Sequence, residues 1–388
     1  MSRFPLANRI SSLPPYPFAE LDRLKNEALA KGADLIDVGI GDPDQPTPAH
    51  IVQKLQEAAK DPKNHRYPGY PGIQKFREAV QHYYQRKFSL SLDPNGEIIA
   101  LIGSKEGIAH IPLAFVNPGD VVLVPNPGYP VYRVSTIFAG GTPHDMPLRR
   151  ENGFLPDLSC IPAQVAKKAR LMFLNYPNNP TAAVADAKFF QNVVEFAKQH
   201  DIIVCHDAAY LDLTFGDFSP PSFLQTRGAK DVGIEFHSLS KTYNMTGWRI
   251  GYAAGNADLI SGLLKVKTNV DSGVFQAVQE AAVAALEGDQ REVEQMRKIY
   301  TERRDILVGG LKSVGLDVTP PKATFYIWVL VPKQFSSAEF SAFLLKKGGI
   351  VATPGTAFGS FGEGYIRFTL CVPKERLQEL VTRLKEIL

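Results

Sequence analysis

The stretch FHSLSKTYNMTGWRIGY, residues 236–252, decides how this sequence is interpreted. Residues 232–236 form a short apolar run that predicts a buried strand, and Lys241 follows it closely. An unpaired ammonium is costly to bury, so a lysine at such a place is usually there for its chemistry. Desolvation lowers the pKa of a lysine, and the neutral amine can form an imine with a carbonyl compound. Taken alone, the Ser-x-Ser-Lys pattern also fits a lysine on a solvated loop.

Two hydroxyls and a guanidinium surround this lysine in the sequence. Ser238 and Ser240 precede Lys241, and Arg249 follows it. Groups of this kind suit a phosphate dianion, because charge-assisted hydrogen bonds to phosphate oxygens are strong. A lysine that forms an imine beside a phosphate cradle indicates pyridoxal phosphate as the cofactor.

Composition excludes several functional classes. The chain has 388 residues, long enough for two domains, with 44% hydrophobic and 21% charged residues, as is ordinary for a soluble enzyme. Its formal net charge of +3 and its scattered basic residues favour neither nucleic acid nor an anionic membrane as partner. Three distant cysteines give neither a disulfide framework nor metal-ligand spacing, so we expect no metal. The sequence shows no signal peptide and no transmembrane run, and we expect a cytoplasmic protein.

The central region alternates between strands and helices. Short apolar runs cover residues 97–102, 121–125, 171–174, 202–206 and 234–237, and helical patterns separate them. This alternation predicts an α/β fold with a mostly parallel sheet between helices, in which ligands bind at the carboxyl ends of the strands.

Both ends of the chain are expected to build a smaller α/β domain. Residues 1–18 are rich in Pro and Ser and predict an extended arm. Periodicity predicts helices at residues 18–31, 47–60, 73–88, 290–313 and 373–388, and strands at 324–331 and 365–370. Residues 35–43 predict a strand that ends in a Gly-Asp-Pro turn. We therefore assign residues 1–46 to the arm and part of the small domain, 47–285 to a large cofactor-binding domain, and 286–388 to the small C-terminal domain.

Four predicted strand ends carry polar residues that have no obvious packing role. Ser104 and Lys105 open a helix after the first strand. This arrangement fits an anion site and fits equally well a helix cap at Ser104 with a solvated lysine beside it. Residues 174–181, LNYPNNPT, form a turn. Asp207 ends another strand, with Tyr210 after it, and it could cap a helix or keep a pyridine nitrogen protonated. Lys241 follows the fourth strand.

This ordered set of motifs resembles the class I/II (fold-type I) pyridoxal-phosphate aminotransferases over essentially the whole chain. The resemblance implies that Lys241 forms the imine and moves the proton, that Asp207 pairs with the pyridinium nitrogen, and that Tyr210 and Asn179 bind the ring 3-oxygen. It also implies a homodimer with active sites at the subunit interface. The phosphate end of the cofactor would be held by Ser104, Lys105, Ser238, Ser240, Arg249 and the neighbouring subunit's copy of Tyr67, with Tyr129 stacked on the ring.

Substrate recognition is implied by the same resemblance. Arg367, in residues 365–369 (YIRFT), matches the arginine that clamps the α-carboxylate of the substrate, although it could also be a surface arginine on a strand. Within the family, residues 237–249 and the loop 66–72 are most similar to the LL-diaminopimelate aminotransferase subgroup. That subgroup uses glutamate and tetrahydrodipicolinate in lysine biosynthesis. Its substrate contacts would be Tyr16, Gly41, Lys105, Tyr129, Asn179 and Arg367.

Other activities remain open at this stage. Aspartate, alanine or aromatic aminotransferases would share every catalytic residue named above, and a carbon–sulfur β-lyase would use the same cofactor. A non-enzymatic regulator with this fold would need a DNA-binding domain before the arm. The fold-like pattern begins within the first forty residues, so we reject the regulator.

Overall fold

A computed structural model of the protein describes residues 3–13 and 19–388. Its strands are β1 Ile36–Asp37, β2 Ile98–Leu101, β3 Val121–Asn126, β4 Thr142–Pro147, β5 Ala169–Asn175, β6 Ile203–Asp207, β7 Gly233–Ser238, β8 Gly251–Gly255, β9 Tyr326–Leu330, β10 Ile350–Val351, β11 Thr353–Pro354 and β12 Tyr365–Thr369. Its α-helices are α1 Asn8–Ser11, α2 Ala19–Ala30, α3 Ala49–Lys60, α4 Gln74–Phe88, α5 Ser104–Phe115, α6 Val131–Phe138, α7 Ala163–Ala166, α8 Ala187–His200, α9 Ala229–Val232, α10 Leu239–Thr242, α11 Ala257–Val270, α12 Gln276–Glu287, α13 Arg291–Ser313, α14 Ser337–Gly348 and α15 Lys374–Ile387.

A seven-stranded sheet forms the centre of the large unit. Its strand order is β2-β8-β7-β6-β5-β3-β4. The pairs from β7 through β6, β5 and β3 to β4 are parallel, whereas β8 is antiparallel to both of its neighbours. The five strands predicted for this region are confirmed, with small shifts at their ends. Two further strands, β4 and β8, were not predicted.

Both faces of this sheet are buried. Along β5, Leu171 and Phe173 pack into the hydrophobic cluster on one face, while Met172 and Leu174 pack into the cluster on the other. This alternation follows from the two-residue period of a strand. Continuous apolar runs are typical of parallel strands that are covered by helices on both sides. The predicted α/β class is therefore confirmed.

The smaller unit joins segments from both ends of the chain. Strand β1 pairs with β10 in parallel, with Ile36 beside Ile350, and β11, β12 and β9 form an antiparallel sheet. Helix α15 packs on α13. The predicted layout is confirmed, while the domain boundaries at 46/47 and 285/286 stay a prediction. Within the strand predicted before the Gly-Asp-Pro turn at residues 41–43, the part that pairs as a strand is Ile36–Asp37.

The described part of the N-terminal segment differs from the expected extended arm. Residues Asn8–Ser11 form a single helical turn, and this turn contacts α6. None of the described helices is both long enough and apolar enough to cross a membrane.

Candidate active site

The candidate site lies at the carboxyl ends of neighbouring strands. Strand β5 ends at Asn175, β6 ends at Asp207 and β7 ends at Ser238, and these three strands are adjacent in the sheet. Parallel strands bring their carboxyl ends to the same edge. Residues that are far apart in the sequence therefore meet there.

A buried carboxylate fixes two of these strands beside each other. His206, which precedes Asp207, accepts the backbone N–H of Tyr176 at its Nε2, and its Nδ1 therefore donates to Glu235. His237 contacts the other oxygen of Glu235 through Nε2, at 2.8 Å. Burial alone would raise the pKa of Glu235, but the hydrogen bonds from His206 and His237 hold it well below its usual range. This network joins β6 to β7 directly behind the candidate site.

Lys241 lies in the one-turn helix α10 that follows β7. Its Nζ donates a hydrogen bond of 2.7 Å to the carbonyl oxygen of Gly41 and lies 5.5 Å from the centroid of the Phe325 ring. Burial lowers the pKa of the Lys241 ammonium, and the positive charges of Arg367 and Arg249 add to this effect. The amine is therefore more readily available as a nucleophile than that of an exposed lysine.

Asp207 is buried, and only one of its carboxylate oxygens has a partner. The hydroxyl of Tyr132 donates to Oδ2 at 2.7 Å, whereas Oδ1 has no hydrogen-bond partner among the described residues. Burial raises the pKa of Asp207, an effect that the hydrogen bond from Tyr132 partly opposes. A buried acceptor without a donor is costly. A ligand that brings an N–H group to Oδ1 would relieve that cost.

Two tyrosine hydroxyls lie together next to this carboxylate. The Oη atoms of Tyr210 and Tyr326 are 2.8 Å apart, and both side chains are buried. Burial raises the pKa of Tyr210 well above its usual value, so its hydroxyl is protonated and can donate.

Arg367 is buried at 4% exposure on β12, which excludes the alternative of a surface arginine. Its Nη1 donates to Asn179 Oδ1 at 2.7 Å, and its Nη2 donates to the carbonyl oxygen of Gly39 at 2.6 Å. Its Nε has no partner among the described residues. A guanidinium has five N–H donors, so several remain for a carboxylate.

A cradle for an anion lies where β2 meets α5. Gly103 caps this helix with φ 73° and ψ 154°, and Ser104 is its first residue. A Cβ atom on Gly103 would lie 2.2 Å from Nη2 of Arg249, so the guanidinium packs directly against this glycine. Ser240 Oγ is buried without a partner among the described residues, and Ser238 Oγ accepts the backbone N–H of Ser240. Free helix N–H groups, hydroxyls and a guanidinium together suit a phosphate.

The remaining predicted residues lie at the margin of the site or outside it. Lys105 is exposed, with its Nζ 6.0 Å from the ring centroid of Tyr129. Tyr67 is 86% exposed on a surface loop, so its predicted contact with a neighbouring subunit stays a prediction. Tyr16 lies outside the described residues.

Several groups that support these side chains were not predicted from the sequence. Tyr132 and Tyr326 carry no local motif, and they reach Asp207 and Tyr210 across 75 and 116 residues of sequence. Arg303, 3% exposed on α13, forms a bidentate ion pair with Asp44 at 2.7 and 2.8 Å. This pair anchors the turn whose Gly41 carbonyl contacts Lys241. A charged pair in a helix–turn contact has no recognisable sequence signal.

The family of the chain follows from comparison with known proteins. A family model described as aminotransferase class I and II matches residues 33–384. This protein therefore belongs to the class I and II aminotransferases. Members of this family depend on pyridoxal phosphate, act on small molecules and are typically dimeric.

Relatives at higher identity cover almost the whole chain. The LL-diaminopimelate aminotransferase of Syntrophobacter fumaroxidans is 58% identical over 99% of each chain, and that of Moorella thermoacetica is 56% identical over 98%. Among solved structures, apo-BacF of Bacillus subtilis is 41% identical, with a TM-score of 0.95 and 99% of each chain covered. A mutant aspartate aminotransferase of Thermus thermophilus is 27% identical, with a TM-score of 0.92, covering 99% of this chain and 100% of the other.

The site has the unpaired groups that pyridoxal phosphate would need. Oδ1 of Asp207 is a free acceptor at a buried strand end, which suits a protonated ring nitrogen. Oγ of Ser240 is an unpaired hydroxyl beside the Gly103–Arg249 cradle, which suits the phosphate. Lys241 carries an amine whose pKa is lowered. The residues present therefore fit this cofactor.

Proposed function

We propose that this protein binds pyridoxal phosphate and moves an amino group between glutamate or 2-oxoglutarate and tetrahydrodipicolinate or LL-2,6-diaminopimelate, a step of lysine biosynthesis. The observation that carries the substrate assignment is the 58% identity over nearly the full length to an LL-diaminopimelate aminotransferase. Bound pyridoxal phosphate supplies an aldehyde that takes up the amino group and a ring that withdraws electrons.

Residues of the chain would bind the cofactor and transfer the proton. Lys241 Nζ holds the cofactor, then takes the proton from the α-carbon of the amino acid and delivers it to the carbon of the cofactor that receives the amino group. Oδ1 of Asp207 accepts the N–H of the ring and keeps that nitrogen protonated. The hydroxyl of Tyr210 donates to the ring 3-oxygen, and Tyr129 stacks on the ring.

Orientation of the substrate comes from the α-carboxylate. Arg367 is held in one plane by Asn179 Oδ1 and the carbonyl oxygen of Gly39, so its remaining N–H groups point in a fixed direction. A bidentate guanidinium–carboxylate pair fixes the α-carbon relative to Lys241, and correct orientation lowers the barrier by removing unproductive arrangements.

The second end of LL-diaminopimelate carries both an ammonium and a carboxylate group. We assign its recognition to Lys105, Tyr129, Tyr16 and the backbone at Gly41. Lys105 is exposed beside Tyr129, so its ammonium is free to reach a carboxylate. A site built to hydrogen-bond this distal end should reject amino acids that lack it by several orders of magnitude, because its polar groups would be left unpaired.

A donor screen tests the substrate assignment. The purified protein, loaded with pyridoxal phosphate, is given LL-diaminopimelate, aspartate, alanine or phenylalanine with 2-oxoglutarate as acceptor, and kcat/KM is measured for each. We expect LL-diaminopimelate to exceed aspartate by several orders of magnitude. Comparable values would make the protein a general aminotransferase with the same catalytic residues, and release of pyruvate from cystathionine at a similar rate would indicate a β-lyase.

Two variants test which residues read the distal end. Tyr16→Phe and Lys105→Ala should reduce kcat/KM for LL-diaminopimelate more than that for glutamate, which has no second ammonium group. Lys167→Ala removes an exposed lysine that precedes β5, at the opposite edge of the sheet, and should change neither value. Equal losses for both donors would place Lys105 with the phosphate instead of the substrate.

A further inference from the structure

Tyr326 is the first residue of β9 and comes from the smaller unit, yet its side chain reaches the centre of the candidate site. It is 2% exposed, and its backbone N–H donates to Oγ1 of Thr324 at 3.0 Å. The backbone N–H of Thr324 in turn donates to the carbonyl oxygen of Leu213 at 2.7 Å. The start of β9 is therefore fixed to the segment that follows Tyr210.

The ring of Tyr326 supports the carboxylate clamp. The Cζ atom of Arg367 lies 4.3 Å from the centroid of the Tyr326 ring and 4.5 Å from that of Phe358. The guanidinium therefore lies against two aromatic rings, an arrangement that cation–π attraction favours. Tyr326 also packs against Gly41, where an added Cβ atom would lie 2.4 Å from the tyrosine oxygen.

Among the described residues, the hydroxyl of Tyr326 has one hydrogen-bond partner, the hydroxyl of Tyr210, and either of the two can be the donor. Tyr210 and Tyr326 each carry one hydroxyl proton, and their oxygens are 2.8 Å apart. If Tyr210 donates to Tyr326, its proton is used and cannot reach a ligand. If Tyr326 donates, the proton of Tyr210 is free to point into the site.

The surroundings favour donation by Tyr326. Burial raises the pKa of both tyrosines, and the positive charge of Arg367 opposes this rise at both hydroxyls. The opposition is stronger at Tyr326, because Arg367 stacks directly on that ring. The more acidic hydroxyl is the better donor. A hydroxyl that accepts one hydrogen bond also becomes a stronger donor itself.

We propose that Tyr326 is a positioning residue, which donates to Tyr210 so that Tyr210 can donate to the ring oxygen of the cofactor, and whose ring holds Arg367 in the plane that receives the α-carboxylate. This role rests on the proposed binding of pyridoxal phosphate. The side chain of Tyr326 thereby contacts both Tyr210, the hydroxyl donor of the large unit, and Arg367, the carboxylate-binding arginine of the small unit.

The two parts of the role can be separated by substitution. Tyr326→Phe removes only the hydroxyl and keeps the aromatic face on Arg367. Tyr326→Leu removes both. Tyr243→Phe is the matched control, because it deletes another buried tyrosine hydroxyl, one that donates to Gln290 at 3.0 Å.

The first readout is the pH at which the absorbance of the lysine-bound cofactor changes, measured without substrate. The midpoint of this change is the apparent pKa of the lysine-bound cofactor. A hydrogen bond to the ring oxygen stabilises the deprotonated form, which carries negative charge there, so a weaker hydrogen-bond donor raises the apparent pKa. We expect a rise of about half a unit to one unit in Tyr326→Phe, a larger rise in Tyr210→Phe, and no further rise in the double variant. Tyr243→Phe should titrate as the wild type does.

The second readout separates the ring from the hydroxyl. KM for glutamate should change less than about threefold in Tyr326→Phe and rise about tenfold in Tyr326→Leu, since loss of the aromatic face removes a cation–π contact.

An unchanged absorbance pKa in Tyr326→Phe, or additive shifts in the double variant, would overturn the proposal. A purely structural role would lower the melting temperature and leave the absorbance pKa at the wild-type value, and that result would overturn it as well. The titration uses no substrate. Its outcome is therefore the same whether the amino acid that donates the amino group is LL-diaminopimelate or another one.

Discussion

Substitution of Gly103 by alanine tests whether the cradle at the start of α5 binds the phosphate. The added methyl group would lie 2.2 Å from Nη2 and 2.8 Å from Cζ of Arg249, closer than non-bonded atoms can approach. The guanidinium is the end of a flexible side chain, so it moves away while the backbone stays. The alanine would also have to adopt φ 73° and ψ 154°, a backbone conformation that is almost restricted to glycine.

The two effects act on different quantities. Backbone strain of about 1–3 kcal/mol is present with and without ligand, so it lowers the free energy of unfolding and leaves affinity unchanged. Displacement of Arg249 removes a charge-assisted hydrogen bond, worth about 1.5–3 kcal/mol. Since about 1.4 kcal/mol corresponds to a factor of ten, the Kd for pyridoxal phosphate should rise about 10- to 150-fold.

The assay is an equilibrium titration of the cofactor-free protein with pyridoxal phosphate and, separately, with pyridoxal, which lacks the phosphate. Only the affinity for pyridoxal phosphate should fall. Gly315→Ala is the matched control, because Gly315 has φ +81° but no atom within 4 Å of an added Cβ. It should lower stability and leave affinity as in the wild type.

A double-mutant cycle identifies the cause of the loss. If Gly103→Ala acts by displacing Arg249, then the variant that also carries Arg249→Ala should bind no more weakly than Arg249→Ala alone. Wild-type affinity in Gly103→Ala, or an equal loss for pyridoxal and pyridoxal phosphate, would refute the assignment of this cradle to the phosphate.

Three further outcomes are expected. Lys241→Ala should abolish amino transfer while the protein still folds and binds pyridoxal phosphate non-covalently, and turnover near that of the wild type would show that another group moves the proton. Asp207→Asn should lower kcat by orders of magnitude with a smaller effect on phosphate binding, since the amide cannot stabilise a protonated ring nitrogen; unchanged kinetics would make Asp207 only a partner of Tyr132. Sedimentation should give about twice the chain mass of 42.7 kDa, and Tyr67→Phe should weaken cofactor binding if this residue reaches the neighbouring site, whereas a fully active monomer would exclude that contact.

Elements with strong local patterns could be predicted from the sequence. The long helix α13 has an apolar stripe because it buries one face, and the parallel strands β5 and β6 are continuous apolar runs because they are buried on both faces. Strand β8, with the sequence GYAAG, has almost no apolar pattern and pairs because β2 and β7 lie on either side of it. Edge strand β4 contains two prolines and polar residues, which mask its pairing with β3.

Some residues of the candidate site could likewise be predicted from local patterns, and others could not. Asp207 and Lys241 could be found because each stands next to a predicted strand end, so a local pattern brings it to the correct edge of the sheet. Tyr326 and Arg303 could not be found, since their importance arises from contacts with segments more than a hundred residues away. Such contacts depend on how the two units pack, and periodicity carries no information on that packing.

The distribution of charge around Lys241 connects the separate parts of the site. Burial lowers the pKa of its ammonium, the negative charge of Asp42 opposes this effect, and the positive charges of Arg367 and Arg249 add to it. A phosphate on Arg249 or a carboxylate on Arg367 would cancel part of this repulsion, so each anion that binds makes the protonated form of Lys241 less costly. The aldehyde and the phosphate arrive on the same molecule, so the repulsion from Arg249 is already reduced when Lys241 meets the aldehyde. The repulsion from Arg367 stays until the carboxylate of the substrate binds, so Lys241 accepts a proton more readily at the stage at which the proposed reaction requires it to take one from the α-carbon.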